Sequence, residues 1–234
     1  MAKVLAVLSG GYADEENNYV TGWWAEELFA PAMELEKEGH TVGIASLLGG
    51  KPVVDPLSIS KDYDPEGKYK KLYESGLADK TTPLVDVKAS DYDAIFIVGG
   101  HGAMFDLAHS EELHNMINIV YELGGIVSAV CHGPAPLVYA KTKEGRPFLE
   151  GLDVTGYPND KEPEEVRDLL PFSLEDELNR IANYSKAEDQ DQYAVWANER
   201  ILTGRDPHSS ELFGKELAKA LTRRELEQEE KYFD

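Results

Sequence analysis

One cysteine in 234 residues excludes an internal disulfide, and with it every zinc site built from paired cysteines. The expectation is a reduced, cytoplasmic protein. Long hydrophobic runs are missing too. The apolar stretch in MAKVLAVLSGGYADEE is broken by Ser-Gly-Gly and acids, too early for a secretory signal or a membrane span. Basic residues are scarce, 23 against 44 acids, and the formal charge of −21 repels phosphate backbones and anionic membranes. Nucleic acid and membrane partners are therefore not expected, and the acidity reads as a solubility device. No Gly-x-x-x-x-Gly-Lys loop occurs and no dinucleotide fingerprint follows the first apolar run, so no nucleotide cofactor is implied. No two histidines stand at i, i+4 on a helix, and no metal is expected from His101, His132 and the nearby acids.

What is present is alternation. The runs KVLAVLS, TVGIAS, DAIFIVGG and GIVSAV are short, rich in Val and Ile, and bounded by Gly, Ser or Asp, as buried parallel strands are. Helix-length amphipathic segments separate them. Residues 21–39 and 110–125 each end in glycine, and Ser110 with the acids after it forms an N-terminal cap. Strands alternating with helices predict a doubly wound, mostly parallel α/β sheet with helices on both faces. One domain over 1–234 is expected, with a polar, Gly- and Pro-punctuated insertion at residues 47–90 that carries one or two short helices as a cap. Pro171 should break the helical pattern of residues 163–183. YAVWANERILTG reads as a hairpin, a last helix starts near Ser209, and residues 223–234 form a charged tail with no assigned role.

The cysteine lies in GGIVSAVCHGPAPLVYA, where a strand-like run stops at Cys131 and hands over to a helix starting near Gly133 or Pro134. That is the geometry of a nucleophile elbow, beyond the carboxyl end of a strand where ligands of such sheets bind. A helix N-terminus there is expected to lower the thiol pKa. The run IFIVGGHGAMFDL opens into Gly99-Gly100-His101-Gly102, whose backbone can approach a ligand closely and offer an oxyanion donor beside the amide of His132. An acid from Asp160, Glu162, Glu164 or Glu165 can orient His132, and spacing does not choose among them. On the first helix, Glu27, Glu34 and Glu38 share a face that reads as solvent, opposite Trp24, Leu28, Ala32 and Leu35. Glu27 also stands near the helix start beside Trp23 and Trp24, where a desolvated carboxyl becomes a useful acid or base.

These residues together resemble the ThiJ/PfpI superfamily, whose fold is flavodoxin-like and related to class I glutamine amidotransferases. AVCHGPA looks like its elbow. GGHGAMFD, GRPFLEG, VTGYPNDKE and LLPFSLEDEL, in order, resemble the heat-shock-type branch, which includes cofactor-independent glyoxalase III enzymes. The resemblance implies Cys131 as nucleophile, His132 beside it, Glu27 in TGWWAEE as the proton-moving glutamate, and Glu162 as the acid paired with the histidine, with Asp160 the fallback. It further implies Gly100 and the His132 amide as oxyanion donors, with His101 at the substrate. TGRDPHSS departs from the branch, which commonly has Asn where Asp206 stands and Ala where His208 stands, so both are expected to alter the rim. The expected activity is conversion of methylglyoxal and water to lactate without glutathione or any other cofactor. A stress-induced holding chaperone or protein deglycase is the alternative, and a Cys-His-acid amidase or peptidase the third. The expected partners are a small 2-oxoaldehyde, unfolded client proteins and, as a homodimer, a second copy of the chain.

Overall fold

Alternate residues of each central strand face opposite helical layers, which is why these runs are apolar throughout. Leu5 and Val7, Ile95 and Ile97, and Val127 and Ala129 pack into one core, while Val4, Ala6 and Leu8, Ala94 and Phe96, and Ile126 and Val130 pack into the other. The computed structural model describes residues 1–187 and 191–233, with side chains of the last helix described as far as Glu227. The charged tail from residue 228 onward thus lies outside the described side chains.

In chain order the elements are β1 (Lys3–Leu8), β2 (Tyr12–Asp14), β3 (Tyr19–Thr21), α1 (Ala25–Lys37), β4 (Thr41–Ser46), α2 (Lys68–Glu74), β5 (Thr82–Pro83) and β6 (Ala94–Ile97). They continue with α3 (Glu111–Glu122), β7 (Ile126–Val130), α4 (Ala135–Tyr139), β8 (Asp153–Val154), α5 (Glu164–Arg167), α6 (Leu174–Ile181), β9 (Asn183–Tyr184), β10 (Ala194–Asn198), β11 (Ile201–Gly204) and α7 (Ser210–Phe233). The main sheet has the order β10-β11-β7-β6-β1-β4-β5, parallel except for the β10–β11 hairpin at one edge. This is the expected doubly wound α/β sheet. The α1 and α7 helices cover one face and α3, α4 and α6 the other.

Local signals hold where a side chain does the work. Ser110 accepts from the Leu113 amide at 3.2 Å and caps α3. The pattern around Pro171 splits into α5 and α6, with Ser173 capping the second. Three elements differ from expectation. A small β2–β3 hairpin stands between β1 and α1, where the polar stretch YADEENNYVT shows no apolar face. The 47–90 segment is more than a cover, because its Thr82–Pro83 end pairs with Ala45 and Ser46 as the sheet's edge strand. Proline is tolerated there because the outer side of an edge needs no donor. In α1, Trp23 just before the helix is the fully buried tryptophan, and Trp24 of the expected stripe is only partly covered. Among the described residues no helix is long and apolar enough to cross a membrane.

Candidate active site

Cys131 directly follows β7 with φ of 60°, a left-handed conformation that a non-glycine residue adopts at a cost of about 1–3 kcal/mol. Backbone bonds on both sides hold it there. Its amide donates to Gly204 O of β11 at 3.0 Å, and its carbonyl accepts from the Tyr157 amide at 3.0 Å. Gly133 N returns to Val130 O at 2.8 Å and closes the turn. The sulfur is thus aimed above the strand ends, as the elbow reading requires. The helix that follows begins at Ala135 rather than at Gly133 or Pro134, and is only five residues long.

Glycine is required opposite the elbow. A Cβ on Gly99 would strike Glu27 Oε2, and would stand 2.6 Å from Val130 O and 2.8 Å from the His132 amide. Gly100 has φ of +91°, and a Cβ there would meet Gly22 O and, at 2.9 Å, Trp24 N. The β6 loop therefore lies flat against both the elbow and the start of α1. The Gly100 amide opposes the rise in the Cys131 thiol's pKa, as a donor close to the sulfur does, and the His132 amide lies against Gly99, 2.8 Å from where a Cβ on that glycine would stand.

His132 and Glu162 are brought together, and the alternatives are not. His132 Nδ1 lies 3.3 Å from Cys131 Sγ and its Nε2 lies 2.5 Å from Glu162 Oε1. His101 Nε2 takes the other oxygen, Oε2, at 2.8 Å. Asp160 instead pairs with Lys186 at 2.6 Å at the surface, and Glu164 and Glu165 are exposed. Burial alone would raise the Glu162 pKa, but the two imidazoles, which donate hydrogen bonds to its oxygens and would attract it further whenever protonated, hold the carboxyl well below the usual carboxylate range. Burial lowers His132 against the pull of Glu162, so the imidazole rests neutral. Its partners then assign the tautomer: Nε2–H donates to the carboxylate and Nδ1 is free to accept the thiol proton. Tyr157, whose ring lies 4.7 Å from that of His132, backs the imidazole.

Glu27 occupies the other flank of the sulfur. Its solvent-facing periodicity is overturned, since it is fully buried while Glu34 and Glu38 stay nearer the surface. The cause is tertiary: the first turn of α1 lies under the Gly99–Gly100 loop and beside the insertion, where Trp23 bridges to Val54. Neither carboxyl oxygen makes a well-formed hydrogen bond among the described residues. Burial pushes the carboxyl well above the usual range, and the Cys131 thiol and Gly99 amide oppose only part of the rise. Cys131 is likewise raised by burial, and by Glu27 beside it, with the Gly100 amide opposing. The expected lowering by a helix terminus is thus reversed, because desolvation of a buried sulfur outweighs the dipole of a five-residue helix.

The rim also differs from expectation. His208 is exposed, but Asp206 is buried at 4 % and bonds Arg205, Lys161 and Ser209 rather than facing a ligand. Residues that the motifs did not single out complete the surroundings. Glu26, next to Glu27, receives the Tyr69 hydroxyl of α2 at 3.3 Å and is pushed up to about 7 by burial. Tyr157 was within reach of sequence reasoning, since it stands inside VTGYPNDKE. Among the described residues, His101, His132 and Glu162 are also a group whose donor atoms, within 4.8 Å of one another, could take a metal. Tetrahedral zinc at the usual bond lengths separates its ligand atoms by about 3.3 Å. The 2.5 and 2.8 Å separations here are those of hydrogen bonds.

The DJ-1/PfpI family model matches residues 20–220. The glutathione-independent glyoxalase HSP31 of Saccharomyces cerevisiae is 35% identical over 144 residues, which span 58% of this chain and 60% of that protein. Among solved structures, Rapid Encystment Protein 24 kDa of Francisella tularensis superposes with a TM-score of 0.85 at 31% identity, covering 94% of this chain and 99% of that one. Glyoxalase III of Candida albicans superposes with a TM-score of 0.83 at 27% identity, covering 94% and 97%.

Proposed function

The chain belongs to the DJ-1/PfpI family, and on that premise we propose that it is a glutathione-independent glyoxalase that converts methylglyoxal and water to lactate. One observation carries the reading: a single sulfur stands between a neutral histidine with its own carboxylate and a separate, unpaired, buried carboxyl. A protease-like triad needs only the first. Moving a proton between two adjacent carbons needs the second as well.

The Cys131 thiol gives its proton to His132 Nδ1 as the sulfur adds to the aldehyde carbon, and the new oxyanion lies at the Gly100 and His132 amides. His132 returns the proton to that oxygen, leaving a hemithioacetal and a neutral imidazole. Glu27, in its ionised form, removes the hydrogen from the carbon bearing sulfur, the neighbouring carbonyl becomes an enediolate, and the neutral His132 carries the hydroxyl proton of the first carbon to the oxygen of the second. Glu27 then delivers the proton to the second carbon, which gives a thioester of lactate. Water, deprotonated by His132, attacks the thioester, expels the Cys131 thiolate and yields lactate. Burial suits Glu27 to this work because a desolvated carboxylate binds a proton more strongly than one in water.

Amide hydrolysis is the second reading, favoured by the 2.5 Å His132–Glu162 contact. Cys131, His132 and Glu27 are 3 %, 2 % and 0 % exposed, a burial that admits a three-carbon aldehyde more readily than a peptide. The deciding experiment is incubation of the purified protein with methylglyoxal, with no added thiol, followed by a chiral lactate assay. Lactate without thiol supports the glyoxalase; absence of lactate at every aldehyde concentration overturns it.

A further inference from the structure

Residues 204–206, from the last residue of β11 into the link to α7, hold both halves of the site at once. Gly204 O accepts the Cys131 amide at 3.0 Å and so fixes the elbow. Two residues on, the buried Asp206 carboxylate is gripped on one oxygen by Ser209, through its amide at 3.1 Å and its hydroxyl at 2.7 Å. The other oxygen accepts from Arg205 Nε at 3.0 Å and Lys161 Nζ at 3.1 Å. Lys161 is the last residue of the 3₁₀ turn Asn159–Lys161, and Glu162 comes next. The Lys161 carbonyl is pinned as well, by the Tyr157 hydroxyl at 3.1 Å, and the Tyr157 amide bonds back to Cys131 O.

We propose that Asp206 is a positioning residue, whose ion pair with Lys161 sets the separation between the Cys131 elbow and the turn that delivers Glu162 to His132. The chain of contacts runs from Cys131 to Gly204, along the backbone to Asp206, across to Lys161 and so to Glu162. Arg205, with Nη1 on Lys186 O at 2.8 Å and Nη2 on Asp191 O at 2.7 Å, keeps that backbone from sliding. An asparagine at 206 keeps the acceptor for Ser209 but lacks the charge that pairs both cations. The carboxylate therefore makes the acid's placement a property of this chain rather than of the elbow motif.

The turnover part of the test rests on the glyoxalase reading; alkylation of Cys131 by iodoacetamide does not, and with no other cysteine it reports on one thiol. Lys161→Met keeps the methylene chain and removes the charge. Its kcat for lactate is expected to fall on the order of tenfold with KM unchanged, as small misplacements of a catalytic group do, and Cys131 alkylation should slow in parallel. Lys161→Arg should restore most of both, and Asp206→Asn should repeat the Lys161→Met phenotype. A wild type that makes no lactate but shows the same alkylation pattern defeats the glyoxalase reading and leaves the positioning role standing. Lys161→Met with wild-type kcat and alkylation rate, whatever its melting temperature, overturns the positioning role, as does a loss that Lys161→Arg leaves unrepaired. Should Asp206→Asn fail to fold, the Lys161 pair of variants decides alone.

Discussion

Two carboxyl groups flank one sulfur, and their surroundings push them in opposite directions. Glu162 is 8 % exposed with an imidazole on each oxygen, and is held ionised. Glu27 is fully buried with no well-formed partner, and is driven toward its neutral form. Both are buried, Glu27 the more deeply, and the supply of hydrogen-bond donors separates them further. A carboxylate with two imidazole donors can only orient a neighbour, whereas one with no well-formed hydrogen bond is free to take and return a proton.

The largest expected effect removes what both flanks serve. Cys131→Ser should lower lactate formation from methylglyoxal on the order of 10⁴-fold or more, with the fold intact by circular dichroism. Retained turnover would mean that neither flank acts through the sulfur.

The flanks then separate. Glu27→Gln should lower turnover on the order of 10³-fold while Cys131 still reacts with iodoacetamide, because His132 and Glu162 are untouched. Glu162→Gln should slow alkylation and turnover together, by about 10² to 10⁴-fold, as histidine orientation is lost. It should also destabilise the protein by about 1.5–3 kcal/mol in denaturant titration, since the buried charged acceptor of two imidazole hydrogen bonds is gone. If the two variants lost the same step and the same stability, the division of labour would be wrong.

How far this contrast was legible depends on where its causes lie in the chain. The central strands, the Ser110 cap, the elbow and the β10–β11 hairpin have local causes: apolar runs, a hydroxyl three residues before an amide, and a Cys-His-Gly-Pro turn. The β2–β3 hairpin has none, because Tyr12–Asp14 and Tyr19–Thr21 are short and polar and pair only with each other. Glu27 shares a helical face with Glu34 and Glu38, and only the loop at Gly99 and the insertion bury it. Spacing does not tell Glu162 from Asp160, since the 3₁₀ turn Asn159–Lys161 holds Asp160 at the surface and delivers Glu162, just after it, to the interior. The thiol's direction of shift is not legible locally, because a strand-to-helix junction advertises a dipole, while its burial depends on residues far away in sequence.

The pH dependence of turnover sharpens the contrast further. Glu27 must be ionised to act as base, and its proton affinity is raised. The acid limb of kcat/KM between pH 4 and 9 should therefore fall above the ordinary carboxylate range of about 4.3. Glu162 contributes no limb there, being ionised throughout. Glu26, pushed up to about 7, is the neighbour that could imitate such a limb, and Glu26→Gln should leave it in place. A limb at an ordinary carboxylate pKa would show that Glu27 is not the base.

The smallest effect is on stability, and its sign distinguishes the flanks independently of any activity. A carboxyl whose folded pKa is raised stabilises the protein fully below its unfolded pKa, and that contribution is lost as pH rises through the folded value. A lowered one, as at Glu162, does the reverse: it stabilises above the unfolded pKa and fails as pH falls. Glu27→Gln removes a group that near neutral pH must either keep its proton against the solvent or carry a buried charge. The variant should match the wild type near pH 4 and melt about 2–4 °C higher at pH 7.5, the shift that ~1 kcal/mol gives in a chain of this size. Glu162→Gln should show its deficit at pH 7.5 and recover part of it in acid. Parallel melting curves for Glu27→Gln and wild type from pH 4 to 8 would mean that the Glu27 carboxyl ionises as it does in water, contrary to what its complete burial requires.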